Sequence, residues 1–327
     1  RGIVMSVIRA EALTKQYGSK VCVDRLSFEL GKECVLGFIG PNGAGKTTTM
    51  RMICGIMPPS SGRAFVGGLD VTRSPVEAKR LLGYLPENAP LPGTMTVEGF
   101  LKYCGNMRGL FGKELKTALE RVSEECGLSG VLREEAEALS KGFRRRVCLA
   151  QAIMHQPEAL VLDEPTDGLD PNQKREIRAL IRELSCRGAV IVSTHILEEI
   201  DAVCDQVLTI CGGKKVFHGS VPEFRSLAPE SFSVTMCVKL PDAAKSSEAQ
   251  EELRKLANVE FLSLEKGEKE NELAMSFRSS GKGEAPEREV FALCAARHWE
   301  VLSVKTKDAG LDEVFARLSS GEGGRKE

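Results

Sequence analysis

A glycine-rich loop near the start of the chain stands between an apolar run and a segment compatible with a helix. The loop reads Gly-Pro-Asn-Gly-Ala-Gly-Lys-Thr-Thr over residues 40–48, after the apolar run at 35–39 and before the segment at 49–53. Glycines in such a loop let backbone N–H groups close around a phosphate, because no Cβ stands in the way. The start of the helix adds unpaired N–H groups and the positive end of the helix dipole, which also favour an anion.

The loop therefore predicts a nucleoside-triphosphate site. Lys46 would reach the β- and γ-phosphates, and the Thr47 hydroxyl would ligate Mg²⁺. A chance match is the alternative, and the strand and helix around the loop argue against it. The candidate binding residues are all members of the loop: Gly40, Pro41, Asn42, Gly43, Ala44, Gly45, Lys46, Thr47 and Thr48.

Two adjacent carboxylates follow another short apolar run. The run at 159–162 is what a buried parallel strand would show, and Asp163 and Glu164 come directly after it. In a chain with a phosphate-binding loop, Asp163 would hold the Mg²⁺ shell. Glu164 would orient or activate the attacking water. The alternative is a polar cap on the end of a strand, which the presence of the glycine-rich loop disfavours.

Composition excludes several classes of protein. The chain has 327 residues, enough for two domains, with 42% hydrophobic and 28% charged residues. The net charge of −1 gives no basic field, so nucleic acid is not expected as a partner. No apolar run is long enough to cross a bilayer. The 11 cysteines form no C-x-x-C pair, which argues against zinc or a disulfide framework and favours a reducing cytosol.

The order of periodic segments indicates two domains and a tail. Residues 6–219 begin with alternating, antiparallel strands, continue through the glycine-rich loop, and become helical at about 95–145. Residues 220–318 read as strand, helix, two strands, helix and strand, which suggests a small ferredoxin-like module. Residues 319–327 are expected to be a frayed tail.

These motifs, in this order, resemble the ATP-binding subunit of an ABC transporter. The resemblance extends over residues 6–219 and implies an α/β fold. That fold is a P-loop NTPase core with a RecA-like mixed sheet, an antiparallel β subdomain and a helical subdomain, followed here by the small α+β module. Beyond the glycine-rich loop, the positions that match the family are Tyr17 for adenine stacking, Glu87 in the Q-loop, Ser140 and Gly142 in the signature loop, Asp163 and Glu164 in Walker B, Asp170 in the D-loop, and His195 as the switch histidine.

The resemblance also implies roles and partners. ATP and Mg²⁺ would be the cofactors, with Lys46, Glu164 and His195 as catalytic residues and Glu87 as a further Mg²⁺ contact. Two identical or closely homologous subunits would pack head to tail, with ATP between the glycine-rich loop of one and Ser140 of the other. Hydrolysis would drive export through a separate transmembrane permease, which would place the chain peripherally on the cytoplasmic face of the inner membrane.

Two departures from the common family pattern indicate which branch of the family the chain is expected to resemble. The signature reads L-S-K-G-F, with Lys141 in place of a glycine, and Glu87 replaces the usual glutamine. Both variants resemble the ATPases of ABC-2 type exporters, including those linked to bacterial gliding, and the motif at 310–315 does so too. An ABC-2 type permease is therefore the expected partner. A set of apolar residues after Glu87 is expected to form mainly helical core with a few exposed members: Leu91, Phe100, Tyr103, Met107, Leu110 and Phe111. The resemblance implies that some of them line the groove that receives the permease.

Two functions other than transport would also use an ATP site. A soluble ABC ATPase acting on nucleic acid or ribosomes would carry tandem ATP units, long coiled-coil insertions or zinc cysteines, and the sequence has none of them. A non-hydrolysing module that binds ATP as a clamp would not need Glu164 and His195. The arginine run at 144–146 is expected to be a solvated or salt-bridged helix face rather than a nucleic-acid contact.

Overall fold

The computed structural model describes residues 6–88, 90–194, 196–227, 232–241, 246–256, 259–266, 271–278 and 286–308. Contacts between Cα atoms divide the chain into two compact units, Arg1–Phe224 and Arg225–Glu327. No helix within the described ranges has the length and apolar character needed to traverse a lipid bilayer.

The first unit is built on a six-stranded sheet with the order β10-β9-β3-β8-β7-β6. Its strands β3, β6, β7, β8 and β9 are parallel, and β10 is antiparallel to β9. Every residue of β3, β7 and β8 is buried, so their apolar runs are those of strands covered on both faces. The strands are β3 (Val35–Ile39), β6 (Leu82–Leu85), β7 (Ala159–Asp163), β8 (Ala189–Thr194), β9 (Gln206–Cys211) and β10 (Lys214–Ser220).

A second, antiparallel sheet precedes and follows the glycine-rich loop in the sequence. It has the order β2-β1-β4-β5 and consists of β1 (Ile8–Tyr17), β2 (Lys20–Leu30), β4 (Ser61–Val66) and β5 (Leu69–Asp70). Side chains of both sheets meet in one core, in which the rings of Phe28 and Phe38 lie 6.0 Å apart. The antiparallel strands predicted within residues 6–30 are confirmed.

Helices connect the strands of the first unit and follow its last strand. Thr96 caps the N-terminus of α3, because its hydroxyl accepts a hydrogen bond from the backbone N–H of Gly99. The helices are α1 (Lys46–Ile53), α2 (Pro75–Arg80), α3 (Val97–Met107), α4 (Gly112–Glu125), α5 (Lys141–Ile153), α6 (Pro171–Ser185), α7 (Leu197–Val203) and α8 (Val221–Ser226), with a 3₁₀ turn at Ala136–Ala138.

Helix α5 lies very close to β6, which is an edge strand of the parallel sheet. A Cβ on Gly83 of β6 would lie only 2.2 Å from the carbonyl oxygen of Ala152 in α5. Any side chain at position 83 would therefore push the helix away from the strand. Glycine at this position allows the backbones of α5 and β6 to approach each other directly.

The second unit has the predicted βαββαβ order. Its elements are β11 (Phe232–Lys239), α9 (Ser246–Arg254), β12 (Glu260–Lys266), β13 (Glu272–Arg278), α10 (Pro286–Ala296) and β14 (Glu300–Asp308). The strands form an antiparallel sheet with the order β12-β13-β11-β14, which is the arrangement of a ferredoxin-like fold. Its core contains Met236 and Phe277 of the sheet, Leu253 of α9 and Val290 of α10. The motif at 310–315 and the predicted tail at 319–327 lie outside the described residues.

Candidate active site

The glycine-rich loop joins β3 to α1, as the sequence predicts. Gly45 precedes the first residue of α1 with φ of +107°, and a Cβ there would lie 2.5 Å from the carbonyl oxygen of Cys22. Only glycine fits this position. Because glycine also provides no side chain to cap the helix, the N–H groups of the first turn are left to a ligand.

The side chain of Lys46 is buried within the loop. Its Nζ lies 2.7 Å from the carbonyl oxygen of Gly40 and 3.4 Å from that of Pro41. Thr47 and Thr48 are half-buried in the same turn. The loop therefore encloses a cation and a helix N-terminus, which together suit a phosphate group.

Asp163 ends β7 and is fully buried. Its Oδ1 accepts a hydrogen bond from the hydroxyl of Ser193, its register partner on the neighbouring strand β8, whereas Oδ2 has no hydrogen-bond partner among the described residues. An unpartnered buried carboxylate oxygen is costly unless a cation neutralises it. The donor set of Asp163 and the Thr47 hydroxyl consists of hard oxygens, which fits Mg²⁺.

Glu164 adopts an uncommon backbone conformation directly after β7. Its φ is +50°, which costs about 1–2 kcal/mol for a residue with a Cβ. Its N–H donates to the carbonyl oxygen and to the hydroxyl of Ser193, at 3.2 and 3.0 Å. Strain of this kind persists only where the surrounding contacts enforce it, and it is concentrated at functional sites.

Arg145 corrects the expectation for the arginine run. The prediction of a solvated or salt-bridged face is wrong for this residue, which is only 3% exposed. Its guanidinium donates to the carbonyl oxygens of Pro86, Glu87 and Glu164. Burial lowers the pKa of Arg145, but an arginine remains charged at neutral pH. The position falls on the buried stripe of α5, and that helical spacing is the signal by which the sequence could have revealed it.

The two neighbouring arginines serve the local structure. Arg144 donates to the carbonyl oxygens of Glu137 and Leu139, at 2.8 and 3.2 Å. Arg146 forms an ion pair with Glu176 of α6. The run therefore stabilises the region around α5 through three different sets of contacts.

The signature segment is placed at the start of α5. Ser140 caps that helix, because its hydroxyl accepts a hydrogen bond from the N–H of Phe143 at 3.3 Å. Gly142 is buried against Gln173 of α6. The Nζ of Lys141 lies 3.0 Å from a carboxylate oxygen of Asp167. These contacts place the signature segment beside the loop that follows Glu164.

The remaining predicted residues lie at separate points of the unit. Asp170 caps α6, with its Oδ1 accepting hydrogen bonds from the N–H groups of Asn172 and Gln173 at 2.9 and 3.0 Å. Tyr17 ends β1 and is 47% exposed. The side chain of Glu87 is also exposed, and its backbone is held by Arg145. His195 lies outside the described residues, so its predicted role stays a prediction.

Glu199 is a buried carboxylate that the sequence did not reveal. It accepts hydrogen bonds from the hydroxyls of Thr166 and Thr194, and its Oε1 lies 3.6 Å from a guanidinium nitrogen of Arg178. Thr166 belongs to the segment after β7, and Thr194 is the last residue of β8. Glu199 therefore ties together the two segments that leave the carboxyl edge of the sheet, where ligands bind in folds of this class.

Comparison with known proteins identifies the family. The family described as ABC transporter matches residues 23–167. The linearmycin resistance ATP-binding protein LnrL of Bacillus subtilis is 31% identical over 314 residues, covering 96% of this chain and 98% of LnrL. The probable multidrug ABC transporter ATP-binding protein YbhF of Escherichia coli is 36% identical over 222 residues, which cover 68% of this chain but only 38% of YbhF.

A solved structure supports the same assignment. The ATP-binding subunit of an ABC transporter aligns with a TM-score of 0.63 and 27% identity, covering 68% of this chain and 92% of that subunit. The P-loop ABC core expected from the sequence is thus confirmed. The chain belongs to the ATP-binding proteins of ABC transporters.

Proposed function

We propose that this chain hydrolyses ATP with Mg²⁺ and that hydrolysis drives export through a separate ABC-2 type permease. The observation that carries the proposal is the carboxylate of Asp163, fully buried at the end of β7 with one oxygen unpartnered among the described residues. It lies in the same parallel sheet as β3, the strand that leads into the glycine-rich loop. A buried anion at this edge fits a cation that accompanies a triphosphate.

The chain's own residues would supply binding and proton transfer. The loop N–H groups and Lys46 would hold the phosphates, and Thr47, Asp163 and Glu87 would hold Mg²⁺, which supplies charge neutralisation. Glu164 would orient the water and accept its proton as the water oxygen bonds to the γ-phosphorus and the bond to the β–γ bridging oxygen breaks. His195 would contact the γ-phosphate.

Dimerisation would complete the site. Ser140 caps the 13-residue helix α5, and the partially positive N-terminus of such a helix favours an anion. A second copy, or a close homologue, would present Ser140 and Gly142 to the triphosphate bound in the loop of the first. Asp170 would approach the same interface, and Tyr17 would stack on the adenine.

Two observations support an export permease as the partner. Relatives carry the names multidrug transporter, linearmycin resistance and, in Ralstonia nicotianae, Nod factor export ATP-binding protein. In this chain, Tyr103 and Met107 of α3 and the nearby Phe111 are 56%, 72% and 63% exposed. Large apolar side chains exposed together favour a protein partner. Binding to a permease would hold the chain at the cytoplasmic face of the membrane.

The proposal is tested by phosphate release and by the mass of the particle in solution. Glu164→Gln should retain ATP binding, lose steady-state hydrolysis and form a dimer in MgATP on size-exclusion chromatography with light scattering. Lys46→Ala should lose ATP affinity. Glu158→Gln, at the exposed residue directly before β7, is the matched control and should behave as the wild type. Normal hydrolysis by Glu164→Gln would refute its role, and a monomer in MgATP would refute dimerisation.

The transport partner needs a separate experiment. Met107→Glu places a charge on the exposed apolar surface and should release the chain from the membrane fraction of cells that express the permease. Retention of this variant in the membrane fraction would contradict the proposed surface.

A further inference from the structure

Helix α5 covers the outer edge of β6 with hydrogen-bonding side chains. Gln151 donates to the carbonyl oxygen of Tyr84 at 2.9 Å, and His155, just beyond the helix, lies 3.1 Å from that of Leu82. Arg145 donates to the carbonyl oxygen of Pro86 at 3.3 Å. Residues 82, 84 and 86 alternate along the strand and its extension, so their carbonyl groups point to the same edge. The helix, the strand and the segment up to Glu87 are thus joined at several points.

Arg145 extends this series of contacts beyond the strand. The same guanidinium also donates to the carbonyl oxygens of Glu87 and Glu164. A planar group with donors on several sides can serve two chain segments at once, and the point-like ammonium of lysine cannot match that geometry. One buried side chain of α5 therefore connects the segment after β6 to the segment after β7.

The contact with Glu164 falls on a strained residue. Glu164 has φ of +50° and is restrained on its N–H side by Ser193 and on its carbonyl side by Arg145. Because strain persists only when the surroundings enforce it, loss of either restraint would let the backbone relax. The carboxylate of Glu164 would then move with its backbone.

We propose that Arg145 is a positioning residue for ATP hydrolysis, which holds the backbones of Glu87 and Glu164 in a fixed position relative to the helix that Ser140 caps. The inference rests on the proposed function, because it assigns Glu164 to the attacking water. Arg145 acts through these carbonyl groups and is not part of the glycine-rich loop. It therefore affects the chemical step more than the binding of ATP.

Arg145→Met tests the proposal, with Arg121→Met as the matched control. Arg121 of α4 donates to the carbonyl oxygens of Ile153 and Met154 at 3.2 and 2.9 Å, so it fixes the opposite end of α5. In Arg145→Met we expect kcat to fall about 10- to 100-fold, because small misplacements of a catalytic group have effects of this size. The Kd for ATP should change less than about threefold, and Arg121→Met should retain the wild-type kcat.

Arg145→Lys separates charge from geometry. The lysine keeps the positive charge but lacks the fork of donors, so it should remain impaired. Full activity of Arg145→Lys would overturn the proposal. Equal kcat values for Arg145→Met and Arg121→Met, compared at matched losses of Tm, would also overturn the proposal.

Amide hydrogen exchange tests whether Arg145 restrains both segments, and it does so without measuring ATP turnover. Amide hydrogen exchange of the nucleotide-free chain should accelerate at residues 84–88 and at residues 163–169 in Arg145→Met, and at neither segment in Arg121→Met. Acceleration at one segment only, or at none, would overturn the joint restraint. If the wild type failed to hydrolyse ATP, the proposed function would fall, while the exchange data would still test the role of Arg145.

Discussion

The ammonium group of Lys141 lies 3.0 Å from a carboxylate oxygen of Asp167, which ties the signature loop to the loop after β7. The side chains of Lys141 and Asp167 are 63% and 48% exposed to solvent. Lys141 is also the residue that departs from the glycine of the common signature. Its side chain therefore has a defined partner within the subunit, but one that water and salt screen.

The ion pair should contribute little to stability. In a double-mutant cycle with Lys141→Ala and Asp167→Ala, we expect a coupling free energy below about 1 kcal/mol, as for other exposed pairs. Urea denaturation of the four proteins gives the value. A coupling well above that limit would show that the pair is a major structural restraint.

Asp163→Asn should separate stability from metal binding. The change removes a buried charge, so without Mg²⁺ the variant should melt no lower than the wild type. The rise in Tm that MgATP produces in the wild type should be reduced. Thermal melts with and without MgATP measure both effects, with Glu158→Gln as the control. An undiminished MgATP effect in Asp163→Asn would refute the metal assignment.

The buried Glu199 should be important for folding. Glu199→Ala leaves Arg178 without its carboxylate and should lower the free energy of unfolding by about 3–5 kcal/mol. Glu199→Gln keeps the shape of the side chain and should cost less. Glu198→Gln, on the exposed neighbour, should change stability by less than about 0.5 kcal/mol. Similar losses at positions 198 and 199, measured by urea denaturation, would contradict this assignment.

His155 should make stability depend on pH. Burial, aided by the charge of Arg108, lowers its pKa from 6.5 to about 4. Between these values the unfolded chain binds a proton that the folded chain does not, so stability falls as the pH falls through 6.5. The loss from this group at pH 5 should be about 2 kcal/mol.

His155→Gln tests this dependence, because glutamine keeps a donor for the carbonyl oxygen of Leu82 and does not titrate. The difference in unfolding free energy between pH 8 and pH 5 should be smaller in the variant than in the wild type. Equal differences in the two proteins would show that His155 is not the responsible group.

The sequence predicted those parts of the fold that are determined by residues close to one another in the chain. The glycine-rich loop, the apolar run that ends at Asp163 and the βαββαβ order of the second unit follow from residue spacing over a few turns. Arg145 and Glu199 depend instead on partners distant in the sequence, such as Glu87 and Thr166. Three-dimensional packing brings these groups together, and a periodic pattern reports only which face is buried, not what the buried group contacts.

The covered outer edge of β6 also limits the ways in which two copies of the chain can associate. Its outward carbonyl groups are occupied by Gln151, His155 and Arg145, so a foreign strand cannot add to the sheet there. Association by strand addition tends to be persistent, because it extends a continuous ladder. An edge that is closed to strand addition is compatible with the reversible, ATP-dependent dimerisation that we propose for this chain.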